Sequence, residues 1–408
     1  MLSYIKVVLF WYVLVSIIGV IIVGYFFISA YHKLKHPFWY SQPVQYKTVL
    51  RPNITLFGNN PRVIQTYIPP IDKWTNHHNI KFVDDYHEIS KFISDNYADN
   101  NNSCDFTYNL SLDTFNAIMD GHNYPIYAAI YSIMNTDEHL GAITAQPLNI
   151  ELYNKGRYPR LIHDDPTYEN IVYYVDNLCV KLEHRGEKIA PQLIQTLNNF
   201  YRTNNTVSMI SLFKRETQLP DYIIPLTTYF TYQFNIATWF NKPFELHPSV
   251  KLLEITQQNI QLLYAFLFKY KSHYFKCFIY PELTNICSQM KVGNIFIMAI
   301  MSGDNICSVY FYRNANVEYK GDKTIECIGS INCNQTLSFF ITGFYYSLQG
   351  LTEKHEFKYL HYENISHNTL MCKSILKHNS PVNYSNTGWY LYNYIHPTLD
   401  SKIMFILN

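Results

Sequence analysis

The sequence predicts a mixed α/β (α+β) fold built from two related halves behind a single membrane-spanning helix. In each half, strand-like apolar runs flank a turn: between Ile126 and Ile150 around Asn135-Thr136-Asp137-Glu138, and between Ile295 and Tyr312 around Gly303-Asp304-Asn305. Both halves interleave such runs with helical periodicity, the pattern of a sheet covered by helices. Ahead of them, Val7 to Ala30 carries no charged residue and is almost wholly apolar.

The 408 residues exceed a single typical domain. The expected division is 1–34 for the anchor and its basic flank, 35–220 for the first half and 221–408 for the second. An apolar run as long as Val7–Ala30 spans a hydrocarbon core, which needs about 20 helical residues. A cleaved signal peptide is the alternative, but its apolar region is usually about 7 to 15 residues long. Lys6 precedes the run, and Lys33 and Lys35 follow it with His32 and His36, so the basic bias places the body in the cytoplasm. Next, Ile80 to Asn96 sets Phe82, Tyr86, Ile89, Phe92 and Ile93 at helical spacing and predicts a surface helix.

Composition excludes several function classes. Lys+Arg 32 against Asp+Glu 31 leaves a net charge of +1, too little to gather nucleic acid through a broad field. The eight cysteines (Cys104, Cys179, Cys277, Cys287, Cys307, Cys327, Cys333, Cys372) show no zinc-ligand spacing, so neither a metal site nor a disulfide scaffold is expected. Sequons at Asn53-Ile54-Thr55 and Asn364-Ile365-Ser366 keep a luminal glycoprotein open as an alternative.

The segment richest in chemistry is Ile171 to Leu197. The β-prone run Ile171-Val172-Tyr173-Tyr174-Val175 leads into Asn177-Leu178-Cys179-Val180, then Arg185-Gly186-Glu187-Lys188-Ile189-Ala190, then a helical run from Pro191 to Phe200. Strand, basic glycine-containing loop and helix start together form a pyrophosphate cradle. The first N–H groups of a helix lack intrahelical partners, and Gly186 allows close approach. The loop partly matches the R/Q-x-x-G-x-G/A pattern of GNAT acetyltransferases, with Lys188 at the central glycine and Ala190 at the last position.

Here the sequence resembles the N-myristoyltransferases, which read N-F-L-C-V-H-K-x-L-R-S-K-R-L-A-P in this region. Pro37-Phe38-Trp39-Tyr40-Ser41-Gln42-Pro43-Val44 is similar to the family's x-F-W-x-T-Q-P-V acyl-CoA segment, where composition alone would suggest only an interfacial aromatic belt. Asn96-Tyr97-Ala98-Asp99 with Phe106-Thr107-Tyr108 resembles N-Y-V-E-D-D with F-R-F. His139-Leu140-Gly141-Ala142-Ile143-Thr144-Ala145 resembles K-L-V-G-F-I-S-A, and Trp389-Tyr390-Leu391-Tyr392-Asn393-Tyr394 resembles Y-Y-L-Y-N-W. The final Lys402-Ile403-Met404-Phe405-Ile406-Leu407-Asn408 is similar to K-V-G-L-V-L-Q.

The resemblance implies two pseudo-symmetric GNAT-like halves sharing a saddle-shaped sheet, with no resident cofactor. It implies transfer of a myristoyl group from acyl-CoA to the N-terminal glycine of proteins. Pro37, Phe38, Trp39, Asn177, Leu178, Cys179, Val180, Gly186, Lys188, Ile189 and Ala190 would bind the acyl-CoA. The backbone N–H groups of Asn177 and Leu178 would form the oxyanion hole, the α-carboxylate of Asn408 would be the base, and Tyr97, Asp99, Phe106 and Tyr108 would meet the acceptor peptide. Moving a proton from an α-ammonium to an α-carboxylate opposes about 4 pKa units, or about 6 kcal/mol, which burial of both groups would narrow.

There are departures. Tyr229-Phe230-Thr231-Tyr232-Gln233-Phe234-Asn235 stands where the family has Y-W-H-R-S-L-N, Lys214 stands where a threonine meets the substrate amine, Glu187 replaces a lysine, and Asn383-Tyr384-Ser385 replaces G-D-G. They open a second expectation, a binding protein of the same fold without turnover.

Overall fold

The computed structural model of the chain describes residues 2–47, 61–67, 71–97, 106–134, 136, 138–153, 170–204, 207–240 and 246–408. Asp99, Cys104, Asn135, Asp137 and the Asn53 sequon lie outside them. Helix α1 (Leu2–Lys35) is followed after His36 by the short α2 (Pro37–Ser41) and strand β1 (Arg62–Val63). The first half then runs β2 (Ile80–Phe82), α3 (His87–Asn96), β3 (Phe106–Tyr108), α4 (Leu112–Met119), β4 (Tyr127–Ser132), β5 (His139–Leu152), β6 (Ile171–Val180), α5 (Ile189–Asn204), β7 (Ser211–Glu216) and β8 (Thr227–Asn235). The second half repeats this order as β9 (Val250–Ile255), α6 (Ile260–Tyr274), β10 (Cys277–Tyr280), α7 (Leu283–Lys291), β11 (Ile295–Ser302), β12 (Asn305–Tyr319), β13 (Asp322–Asn332), α8 (Leu337–His355), β14 (Tyr359–Glu363) and β15 (Asn383–Tyr392). Helix α9 (Asn368–His378) precedes β15, and β16 (Tyr394–Ile395) and β17 (Met404–Ile406) close the chain.

Both expected hairpins are present, as β4–β5 and β11–β12, and the second turns on Gly303 at φ 56. The predicted helix over Ile80–Asn96 is corrected at its start. Ile80–Phe82 is a strand paired with β4, with Ile80 opposite Tyr131, and the helix begins at His87. Three apolar-patterned residues fit either period, and a neighbouring strand with unpaired backbone groups decided the matter.

Each half contains an antiparallel hairpin, a third strand and a parallel fourth strand reached through a helix: β4-β5-β6-α5-β7 and β11-β12-β13-α8-β14. The halves exchange strands. β3 pairs with β12 and β10 with β5, while β8 pairs with β14 and β15 with β7. β15 also pairs with β8, so one continuous mixed sheet results and neither half closes its sheet without the other. Helices α3, α4, α6 and α7 cover one face and α5, α8 and α9 the other. The two sides form separate cores, such as Phe278, Phe311 and Phe405 under α6 and Tyr310, Phe340 and Phe344 under α8.

A chain of buried amides ties the halves together. Asn285 Nδ2 on α7 donates to the carbonyls of Ala117 (3.2 Å), Ile118 (2.9 Å) and Asp120 (2.6 Å) at the end of α4. Its Oδ1 accepts from Gln289, whose Oε1 accepts from Asn294, whose Oδ1 accepts from Asn316 on β12. These carbonyls have lost water, so removing their donor costs their desolvation. Asn285→Leu is expected to lower unfolding stability by about 2–3 kcal/mol, read by denaturant titration.

Candidate active site

The sheet opens at β6. This strand pairs with β7 only at Tyr173↔Ser211, Tyr174↔Leu212 and Val175↔Phe213, then runs on to Val180 without it. At the point of divergence β6 carries two residues, Asn177 and Leu178, against Ile143 alone on β5. This is a bulge, and Asn177 takes φ 52. The Asn177 side chain is held by Thr144 Oγ1 at 3.0 Å, and that hydroxyl donates to the Asp176 carbonyl at 3.2 Å. A bulged strand leaves backbone groups outside the ladder. The Asn177 N–H turns toward the Asp176 carboxyl. Burial pushes that carboxyl above its ordinary value, against the pull of the Asn177 N–H, Arg313 and Lys214. The matching opening between β13 and β14 is plugged: Ser366 Oγ accepts from Ser330 N–H (3.0 Å), His367 Nδ1 from Asn332 N–H (2.8 Å), and Asn368 Oδ1 from Ser330 Oγ (2.6 Å).

From the end of β6 the chain passes through a single 3-10 turn at Leu182–His184 into the loop that starts α5. Gly186 has φ 92 and a Cβ built there meets nothing within 4 Å, so the space beside it is open. Lys188 has φ 66, the left-handed conformation that a glycine would adopt without strain. The lysine thus keeps the backbone shape of the GNAT pattern at its central position. Ile189 is buried, anchoring the helix start, and Pro191 is well placed in the first turn, where no N–H is needed.

Facing Asp176 lies a polar cluster that sequence reasoning assigned only in part. Lys214 Nζ sits 2.6 Å from Glu363 and 2.8 Å from Glu216, and 5.9 Å from the centre of the Trp389 ring. Burial lowers the ammonium's pKa, but the two carboxylates outweigh it and hold the pKa well above the ordinary value. The Lys214 ammonium is thus compensated by two carboxylates. Tyr229 OH donates to Glu363 (2.9 Å) and accepts from Trp389 Nε1 (2.9 Å). Arg313 donates through Nε and Nη2 to Glu326 (2.9 and 2.6 Å) and through Nη1 to the main-chain oxygen of Asn408 (2.9 Å). Four carboxyl groups, Asp176, Glu216, Glu326 and Glu363, meet two permanent cations, so the cluster favours a further positive charge.

The structure sorts the expected acceptor residues. Tyr97 is 39% exposed overall, but its phenol end is desolvated at the cluster, which raises it well above the ordinary value, and Asp176, Tyr108 and Glu216 add to the rise. The Tyr97 and Tyr108 rings lie 4.9 Å apart, and burial followed by Asp176 also raises the Tyr108 phenol. Phe106 lies away from the cluster, 38% exposed and packed on Tyr319 at 4.7 Å. Asn408 is 8% exposed behind β17, which lies parallel to β10. Glu216, Arg313, Glu326 and Glu363 were missed because each reads as an ordinary polar residue in a strand, and only the exchange of strands brings them together.

Phe38 is buried inside the fold rather than lying in an exposed aromatic belt. Its ring meets Trp39 at 5.2 Å and Trp74 at 5.5 Å. The segment after Trp74 runs along α5: Asn76 N–H donates to Thr196 Oγ1 (2.9 Å), and its side chain to Gln192 (2.6 Å). The Phe38 segment and the Gly186–Ala190 loop are thereby joined through one helix. Trp39 stacks on Phe213 at 5.6 Å, and Tyr392 OH donates to Gln42 (2.5 Å). Cys179 is buried, and its thiol is pushed up to about 11 by burial, so it is not poised as a nucleophile. All seven described cysteines are free thiols.

No protein-family model and no curated protein sequence matches the chain. Its structure is similar to that of a tandem GNAT protein from the clavulanic acid biosynthesis pathway, with TM-score 0.50, 10% identity and coverage of 77% of this chain and 98% of that one. It is more similar to Saccharomyces cerevisiae N-myristoyltransferase with bound myristoyl-CoA. One such structure gives TM-score 0.69, 13% identity and coverage of 94% and 100%, and another gives 0.66, 13%, 90% and 94%. Both the expected fold class and the resemblance that suggested it are borne out: at low identity, this chain has the two-halved GNAT-like fold of the N-myristoyltransferase structures over nearly its whole length.

Proposed function

We propose that the chain is an acyltransferase that moves a myristoyl group from acyl-CoA to the N-terminal glycine amine of proteins. The observation that carries this reading is the opening at β6, where the bulge at Asn177 and Leu178 lies between the Gly186–Ala190 loop and the cluster that holds Asn408. Acyl-CoA is placed with its phosphates on the loop and its thioester at the bulge. The acceptor amine enters from the electronegative cluster side as a cation. It loses a proton to the Asn408 α-carboxylate, and the neutral nitrogen attacks the thioester carbon. The Leu178 N–H stabilises the oxyanion, joined by the Asn177 N–H as it leaves the Asp176 carboxyl for the incoming oxygen, each such donor being worth about 3 kcal/mol. The C–S bond then breaks, the nitrogen's second proton passes to the departing thiolate, and CoA leaves as the thiol. Full-length protein incubated with labelled myristoyl-CoA and glycine-started peptides should yield acylated peptide, and alanine- or proline-started peptides should not. Absence of product at saturating acyl-CoA overturns the reading.

Binding without turnover has one specific observation in its favour: Lys214 already places an ammonium between Glu363 and Glu216 in the cluster. Stoichiometric acyl-CoA binding with no transfer to any glycine-started peptide would select this second reading.

The phosphate loop gives a separate test. Lys188→Glu should weaken CoA binding through repulsion. Gly186→Val should weaken it by filling open space and by forcing a β-branched residue to positive φ, a strain of about 1–2 kcal/mol. Lys188→Gly should relieve a comparable strain and raise stability. Calorimetry showing unchanged CoA affinity in both weakening variants removes the acyl-CoA assignment.

The helix Val8–Lys35 is long and apolar enough to cross a membrane, with mean hydropathy 2.6. We read it as a single-pass anchor that leaves the catalytic body in the cytoplasm. His36 alone separates it from α2, so the acyl-CoA segment begins where the anchor ends.

A further inference from the structure

Among the described residues, the sheet face opposite the polar cluster is covered at its two ends and bare in the middle. Helix α5 covers it on one side, through Tyr201 OH and Ser211 Oγ at 2.6 Å, and α8 and α9 cover it on the other, over Leu360 and Tyr362. Between them, β7, β15 and β8 present Arg215, Asn386, Thr228, Phe230, Tyr232 and Tyr384, all on this face by register. Phe230 is 41% and Tyr384 64% exposed, and the Phe230, Tyr232 and Tyr384 rings lie 6.0 to 6.4 Å apart. Large aromatics with polar tips, one arginine and no carboxylate among these six residues suit an apolar–polar boundary, and a mixed sheet normally keeps such a face covered.

The same face is continuous with the base of α1. His36 stacks on Tyr222 at 4.1 Å, Trp39 stacks on Phe213, and Phe213 stacks on Tyr390 at 5.3 Å, on the same strand and face as Tyr384. From Tyr390 to Tyr384 is about 20 Å along an extended strand, so the bare face runs outward from the residues packed at the base of the anchor.

We propose that this face is the second membrane contact of the protein: Phe230 and Tyr384 lie in the interfacial layer of the bilayer that α1 crosses, backed by Tyr232, which packs against Cys372 of α9, with Arg215 among the headgroups. The body then rests on the membrane by its outer sheet face, and the polar cluster, on the other side of the sheet, opens to water. An acceptor terminus enters from the aqueous side. The inference rests on the reading of α1 as an anchor.

The test separates the two. A fluorescent amino acid is placed singly at Phe26 in α1, at Tyr384, and at Phe268, which is 72% exposed on α6 across the sheet. The full-length protein is reconstituted in phosphatidylcholine vesicles containing lipids that carry a nitroxide either at the headgroup or deep in the acyl chain. Interfacial side chains sit about 5–10 Å into the headgroup boundary, so headgroup nitroxide should quench position 384 at least about threefold more than position 268, and deep nitroxide should quench position 26. Quenching at 26 with equal, weak quenching at 384 and 268 overturns the membrane-facing sheet and leaves the anchor standing. Absence of quenching at 26 overturns both. A label at 384 that is shielded from aqueous iodide without responding to either nitroxide lipid also overturns the proposal, because the face is then covered by protein.

Discussion

Extending the chain by one residue beyond Asn408, or amidating its terminus, is expected to cut turnover by about 100- to 10,000-fold while acyl-CoA affinity stays nearly unchanged, because loss of a positioned base typically costs that much. The geometry explains the separation. Asn408 is buried on the cluster side, its main-chain oxygen held by Arg313 Nη1 at 2.9 Å, whereas the loop proposed to bind phosphate lies on α5. Arg313 orients the terminus, and a guanidinium also favours the ionised carboxylate. Asn408→Ala keeps the carboxylate and should keep most of the activity, which distinguishes loss of the base from loss of packing. Single-turnover kinetics with labelled acyl-CoA give the measurement. Full activity in the extended or amidated protein would show that the proton goes elsewhere.

Lys214→Met is expected to destabilise the protein by about 3–5 kcal/mol at neutral pH, since removing one partner of a buried pair leaves the other charge unpaired. The unpaired group would be Glu363, 4% exposed and otherwise held by Tyr229 OH; Glu216 is half-exposed and can turn to water. Adding Glu363→Gln should restore most of the loss, because a neutral amide in place of the buried carboxylate removes the uncompensated charge. The sign with pH follows. In the wild type the ammonium, held well above its ordinary pKa, contributes stability that is complete below the unfolded lysine pKa and is lost as pH rises through the folded value, beyond the neutral range. Glu216, held below the ordinary carboxylate value by Lys214, contributes stability above the unfolded carboxyl pKa that fades on acidification. Chemical denaturation of the single and double variants decides the issue: an additive double mutant would show that Lys214 and Glu363 are not coupled.

The sequence by itself determined the repeated hairpins, the strand–loop–helix of the cradle and the apolar first helix, because each is set by periodicity and turn chemistry within about 30 consecutive residues. Lys188 shows how far such reading extends. Its place in the loop pattern was legible from spacing, whereas its left-handed backbone, which explains why the pattern has glycine there, came only from the coordinates. The short strand Ile80–Phe82 was misread as helix because three residues hold too little periodic information, and β4, some fifty residues away, supplied the deciding hydrogen bonds. The cluster around Lys214, Glu363, Arg313 and Asn408 was decided by tertiary structure alone. Its members come from β7, β14, β12 and the second residue after β17, which meet because the two halves exchange strands. The same holds for the choice between two similar openings. Beside β6 the pairing with β7 ends at Val175, while Ser366, His367 and Asn368 fill the counterpart beside β13, since a buried strand end must find partners for its N–H groups and this segment supplies them.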